Sequence, residues 1–250
     1  MLNAATANKL HEMKLSSMVD ILRQQADTPG IDELSFEERI GLLVDAEWGR
    51  RRSNQLNRLI KGANLGISGA ALENIEYHAD RQLDKALITR LGTCNYITEK
   101  RNIIVLGATG AGKSYLSCAL GVAACRNFYT VKYIRLPELL SDMALAHCNN
   151  SWRHLMKQYK KVSLLILDEW LLVPLSQNEA RDLLEIIEAR HKQGSTIFSS
   201  QFAPEGWHAK IGEDTLADAI LDRIIHDSYT IKISGRDSMR KKKGITEEIK

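Results

Sequence analysis

Two hydrophobic rhythms divide this 250-residue chain. Over roughly the first sixty residues the apolar positions recur at helical spacing: Ile40, Leu43 and Val44, then Leu56, Leu59 and Ile60, fall three or four apart. Ser35 stands three residues before Glu38, the spacing of a capping box, in which each side chain satisfies the other's free backbone N–H. The pattern predicts a helix from about Phe36 to Lys61. The stretch KGANLGISGAALEN, rich in Gly and Ala, then interrupts it and sets a boundary near residue 70. A small all-helical domain, 1–70, is therefore expected before a larger one, 71–250.

In the larger part a helical stretch at Leu83–Leu91 gives way to short apolar runs separated by helical segments. The runs are Ile103–Leu106, Val131–Ile134, Leu164–Leu167, Thr196–Ser199 and Tyr229–Ile233. Strands that alternate with helices build a parallel sheet with crossover connections. The expected fold is α/β: a five-stranded, mostly parallel sheet behind the helical N-terminal domain.

Composition narrows the setting. Hydrophobic residues make up 44% and charged residues 26%, ordinary proportions for a soluble globular chain. No apolar run approaches the ~18 residues that span a bilayer, and the N-terminus lacks the continuous apolar region of a secretion signal. A cytoplasmic protein without a membrane partner is expected. Cys94, Cys118, Cys125 and Cys148 show no C-x-x-C spacing, so a cysteine metal site is not expected.

The chemistry concentrates at NIIVLGATGAGKSYL, Asn102 to Leu116. Gly107, Gly112, Lys113 and Ser114 satisfy G-x-x-x-x-G-K-[ST], with a predicted strand before and a helix after, the context that makes this phosphate-loop motif specific. The whole turn, Gly107, Ala108, Thr109, Gly110, Ala111, Gly112, Lys113, Ser114 and Tyr115, is the expected nucleotide cradle. Backbone N–H groups and the positive end of the following helix attract the phosphates. Lys113 is expected to bridge the β- and γ-phosphates, and the Ser114 hydroxyl to ligate Mg2+. ATP and Mg2+ are the expected ligands.

A second acid centre should close the site, because Mg2+ needs oxygen ligands and the strand ends line the crevice. LLILDEW supplies it: Asp168 to hold the metal through its water shell, and Glu169 to orient and deprotonate the attacking water. The paired acids favour hydrolysis over phosphoryl transfer to a metabolite, although Glu169 also reads as a plain loop acid. STIFSSQF ends a further strand, and Ser200 or Gln201 either reads the γ-phosphate or hydrogen-bonds its own turn.

Charge adds a candidate polyanion surface. Residues 1–49 hold 4 Lys and Arg against 9 Asp and Glu, whereas residues 50–61 hold 5 against none. On the predicted helix Arg50, Asn54, Arg58 and Lys61 share one stripe, widened by Arg51 and Arg52. Such a stripe would neutralise DNA phosphates without reading sequence; a solvated helix face with Glu47 nearby is the plainer reading. Arg153, Lys157, Lys160 and Lys161 form a second basic face, and a third cluster, Lys241 to Lys243, lies near the end of the chain.

With these segments placed, the chain resembles the IstB and DnaC-like group of AAA+ ATPases, most closely its IstB branch, the transposition helpers of IS21-type insertion sequences. The resemblance covers nearly the whole length and rests on LSFEERIGLLVDAEWGRRR, GATGAGKSYLSCALG, LLILDEW, GSTIFSSQF, GWHAKIGEDTLADAILDRIIHDSY and ISGRDSMR. It implies a homo-oligomeric ATPase on duplex DNA that recruits or stimulates the transposase of the same element. It also implies that Arg223 reaches a neighbouring subunit's nucleotide, and that Arg240, or else Arg236, senses nucleotide within the subunit. By position alone Arg223 also reads as a surface partner of Asp222 or Asp227. The competing functions are a replicative helicase loader, which would prefer single strands, and a nucleotide kinase, which the Asp–Glu pair disfavours.

Overall fold

The computed structural model describes residues 3–234. The chain forms two compact units, 1–58 and 59–250, a division that falls before the Gly- and Ala-rich stretch. Helices α1 (Ala4–Glu12), α2 (Ser16–Asp27) and α3 (Phe36–Ala63) provide the first unit, with the end of α3 belonging to the second. The capping box at the start of α3 is present: Ser35 N donates to Glu38 Oε2 at 2.8 Å and Glu38 N to Ser35 Oγ at 3.2 Å. Of its apolar positions Leu43 is buried, but Ile40 and Val44 are 39% and 52% exposed. A helix this long is covered on one side only, and Val44 lies about 100° around it from Leu43.

In the second unit α4 (Lys85–Gly92) and α5 (Asn95–Thr98) precede strands β1 (Asn102–Gly107), β2 (Val131–Arg135), β3 (Leu164–Asp168), β4 (Ser195–Ser200) and β5 (Ser228–Ile233). Between and around the strands run α6 (Lys113–Arg126), α7 (Leu136–Cys148), α8 (Trp152–Lys161), α9 (Gln177–Arg190), α10 (Trp207–Ile211) and α11 (Asp214–Ile225). The five strands lie in the order β2-β3-β4-β1-β5, and every adjacent pair is parallel. This is the α/β sheet expected, each strand longer than its apolar run by one or two terminal residues.

Helices cover both faces. Almost all of α6 is buried, and it contacts β1, β2, β3 and β4. On the opposite face Ile104, Leu106, Leu165, Leu167 and Phe198 pack with Leu183 and Ile186 of α9 and Ile220 and Ile224 of α11. Beside them Trp170, Phe198 and Trp207 form an aromatic cluster, with ring centroids 4.7 Å apart for Trp170–Phe198 and 5.8 Å for Trp170–Trp207. The registers Arg135↔Asp168 and Leu106↔Ser200 bring the strand ends to one edge, where α/β sheets bind ligands. No helix among the described residues is long and apolar enough to cross a membrane.

Candidate nucleotide site

The turn between β1 and α6 is shaped by two close constraints. A Cβ at Gly107 would sit 2.8 Å from the carbonyl oxygen of Ile233 and 3.3 Å from Ala111 Cβ, so any larger residue would push the loop off β5. Gly112 begins α6 at φ +96°, a conformation that L side chains rarely adopt. Within the loop Lys113 Nζ donates to the carbonyl oxygens of Gly107 and Ala108, at 2.8 and 2.9 Å. Burial lowers the Lys113 pKa, while the carboxylates of Asp168 and Glu169 act the other way. Thr109 Oγ1 donates to Gln201 Oε1 at 2.8 Å, joining the loop to the end of β4.

The two acids have partners that spacing alone did not mark. Asp168, 4% exposed at the end of β3, accepts from Tyr133 Oη at 2.8 Å and from Glu169 N at 3.0 Å. Glu169 has φ +55°, and Arg135 holds both its oxygens at 2.7 Å. Tyr133 and Arg135 alternate along β2, the strand beside β3, so the signal for them was strand order rather than any motif.

Ser200 and Gln201, equivalent in sequence, separate here. Ser200 is fully buried: its hydroxyl donates to Trp170 O and accepts from Phe202 N and Trp207 Nε1. Only Gln201 of the pair bonds the loop. Arg223, on α11, donates to Ala219 O at 2.8 Å and pairs with Glu188 of α9 at 3.1 Å. Its acid is thus neither Asp222 nor Asp227. Arg236, Arg240 and Lys241 to Lys243 lie outside the described residues.

A cavity of about 280 Å³ adjoins the loop. Ile67, Ile75 and Leu83 give it an apolar wall, and Gly110, Gly112, Lys113 and Ser114 of the loop a polar one. Arg81 and Glu76 lie between. The described residues hold no group of three or more His, Cys, Asp or Glu that would ligate a metal by itself. The hydroxyl of Ser114 and the carboxylate of Asp168 are hard oxygen donors of the sort that hold Mg2+ together with phosphate oxygens.

The profile of the IstB-like ATP binding protein family matches residues 8–246. The chain belongs to this family. A Sinorhizobium fredii relative named as an insertion-sequence ATP-binding protein, y4pL, is 39% identical over 241 residues, covering 96% of this chain and 98% of its own. A Pseudomonas fluorescens relative named for insertion sequence IS1162 is 40% identical over 201 residues, covering 80% and 87%. Among solved structures the AMPPCP-bound DnaA of Aquifex aeolicus superposes with TM-score 0.57 at 19% identity, covering 69% of this chain and 52% of that one. DnaI superposes at 0.55 and 21%, covering 66% and 92%. These likenesses give this IstB-family chain the AAA+ P-loop fold.

Its two basic faces differ. On α3, Glu47 is buried and accepts from Arg50 Nη2 and Arg51 Nε, both at 2.8 Å, while Arg50 also donates to Lys14 O at 3.0 Å. The hydrogen bond from Arg50 is the main reason the Glu47 pKa falls to about 2. Arg52 lies over the Trp48 ring, 5.9 Å from its centroid. Arg58 and Lys61 are exposed but fall in different units. On α8 Arg153, Lys157, Lys160 and Lys161 are all exposed, and no ion pair holds any of the four among the described residues.

Proposed function

We propose that this IstB-family chain binds ATP with Mg2+ in the cavity beside the loop, hydrolyses it, and uses the cycle to assemble on duplex DNA, where it recruits or stimulates the element's transposase. The observation that carries this reading is the approach of Asp168 and Glu169, at the end of β3, to Lys113 of the loop after β1, close enough for their charge to act on its ammonium, while that loop lines a cavity that also has an apolar wall.

The apolar wall suits a purine, and the N–H groups from Gly107 to Tyr115 suit its phosphates. Lys113 exchanges its two carbonyl acceptors for β- and γ-phosphate oxygens. Ser114 and Asp168 hold the metal, with Tyr133 fixing the carboxylate; bound Mg2+ supplies charge neutralisation at the phosphates. Gln201 reads the γ-phosphate, a role supported by its bond with Thr109 of the loop. Glu169 takes the proton of the attacking water once it leaves Arg135. Arg223, in another subunit of the oligomer, leaves Glu188 to stabilise the γ-phosphate charge and so couples turnover to assembly.

The unpaired face of α8 is the better polyanion surface, with Arg58 and Lys61 secondary, because Arg50 and Arg51 already neutralise Glu47. Duplex phosphates would be met there without base readout. The family relatives named for insertion sequences supply the transposition context.

The test is Glu169→Gln. Phosphates and metal keep their ligands while the water loses its base, so the variant should bind ATP, lose turnover by on the order of 100-fold or more, and accumulate as complexes on duplex DNA. Normal turnover would remove Glu169 from the chemistry, and equal capture on single strands would point to helicase loading.

A further inference from the structure

Two arginines are buried without a carboxylate among the described ion pairs, and their surroundings set them apart. Arg190, 3% exposed, bonds Thr196 Oγ1 at 3.0 Å, Tyr159 O at 2.6 Å, Val162 O at 2.9 Å and Ser195 O at 2.6 Å. A Cβ at Gly194 would fall 2.9 Å from its Nη2, and the cleft beside it encloses only about 10 Å³. No ligand fits there. Arg190 joins α9, α8 and β4 as a clamp.

Arg81, 7% exposed at the end of the 3₁₀ turn Ala79–Arg81, donates to two backbone carbonyls: Glu76 O at 2.7 Å and Ala111 O at 3.1 Å. The second of these belongs to the phosphate loop itself. Its own carbonyl accepts from Ser234 N at 3.0 Å, just past β5, and Gln82 follows at φ +49°. The backbone that carries the guanidinium is therefore fixed. The side chain lines the same 280 Å³ cavity as Gly110, Gly112, Lys113 and Ser114.

A guanidinium carries five N–H donors and a permanent charge. Two carbonyls satisfy part of the donors and none of the charge, and a buried charge is costly unless an anion accompanies it. For Arg190 four neutral acceptors occupy the donors, and burial without an anion pushes its pKa down to about 10. For Arg81 the open side is the cavity.

We propose that Arg81 is a nucleotide-binding arginine: within its own subunit it contacts the α-phosphate of a nucleoside di- or triphosphate, whose charge completes its coordination. The assignment rests on the cavity being the nucleotide site. Through Ala111 and the Ser234 contact, Arg81 also ties the filling of that cavity to the loop and to the end of β5.

The experiment is calorimetric titration of the full chain, without DNA, with Mg-ATP, Mg-ADP and adenosine, comparing wild type, Arg81→Gln and Lys113→Ala. Arg81→Gln should weaken ATP and ADP at least tenfold and leave adenosine within twofold. Equal weakening of adenosine and ADP would make Arg81 a shaper of the pocket and overturn the assignment; so would no weakening at all. Lys113→Ala with wild-type ADP affinity would instead sink the cavity as the phosphate site, so the two failures are distinguishable. Arg81→Met removes the charge while keeping an apolar stem and should repeat the Gln result if that variant does not fold. Arg81→Lys keeps a charge without the fork and should recover part of the affinity.

Discussion

The basic faces of α3 and α8 carry similar charge, but on α3 Arg50 and Arg51 already share a carboxylate, whereas no described ion pair holds any of the four cations of α8. Glu47 lies three and four residues before Arg50 and Arg51, the spacings at which helix neighbours meet, and its burial leaves it no water to compete with them. The segment WRHLMKQYKK of α8 contains no acid at all. A basic run is thus available to a partner only if its own helix supplies no carboxylate within a turn. Arg135 is occupied in a different way, by Glu169 from the end of the neighbouring strand rather than from its own element.

The contrast is sharpest under salt. Replacing Arg153, Lys157 and Lys160 by Ala should reduce the magnitude of the slope of log K against log salt by about 0.9 for each DNA phosphate that is no longer neutralised. It should leave basal hydrolysis unchanged. Arg50→Ala with Arg51→Ala should barely alter the slope. A reversed result in duplex-binding titrations would return the surface to α3.

A smaller effect is expected from Arg135→Ala, which frees Glu169 from its bidentate hold. Basal hydrolysis should rise a few-fold, measured as phosphate release without DNA. An unchanged rate would mean that the ion pair does not restrain the acid.

The smallest effect concerns acid. Glu47 has its folded pKa depressed to about 2, against roughly 4.3 in an unfolded chain. Its contribution to stability is therefore fully present above about pH 4.3 and is lost as the pH falls through about 2. Helicity of the isolated segment 1–58, where that segment folds, or of the α3 signals in the full chain, should decline across this window. Glu47→Gln should remove the pH dependence attributable to this group, and an unaltered acid profile would show that the pair contributes nothing.

The placement of the candidate site was legible where a motif prescribes backbone shape. Gly107 to Ser114 closes into one loop whatever lies around it, and Asp168 and Glu169 fall at a strand end that periodicity alone locates. The contacts of Tyr133, Arg135 and Arg81 were not legible, because they depend on which strand lies beside β3 and which turn lies against the loop. The same limit separated Ser200 from Gln201: one residue of register sends the first to Trp170 and Trp207 and the second to Thr109. Helical spacing grouped Ile40 and Val44 with Leu43, but could not show which side of α3 would be covered.

The aromatic cluster next to the acids gives the molecule an optical readout of its own. Trp170 follows Glu169 directly and, like Trp207, is wholly shielded, whereas Trp48 on α3 is 63% exposed. Shielded indoles emit to the blue of hydrated ones, so once the half-buried Trp152 of α8 is replaced by Phe, one excitation yields two separable colours, one from each compact unit. A shift in the blue component on adding nucleotide would register movement beside Glu169. A change confined to the red component would register events on α3, with no label attached to either.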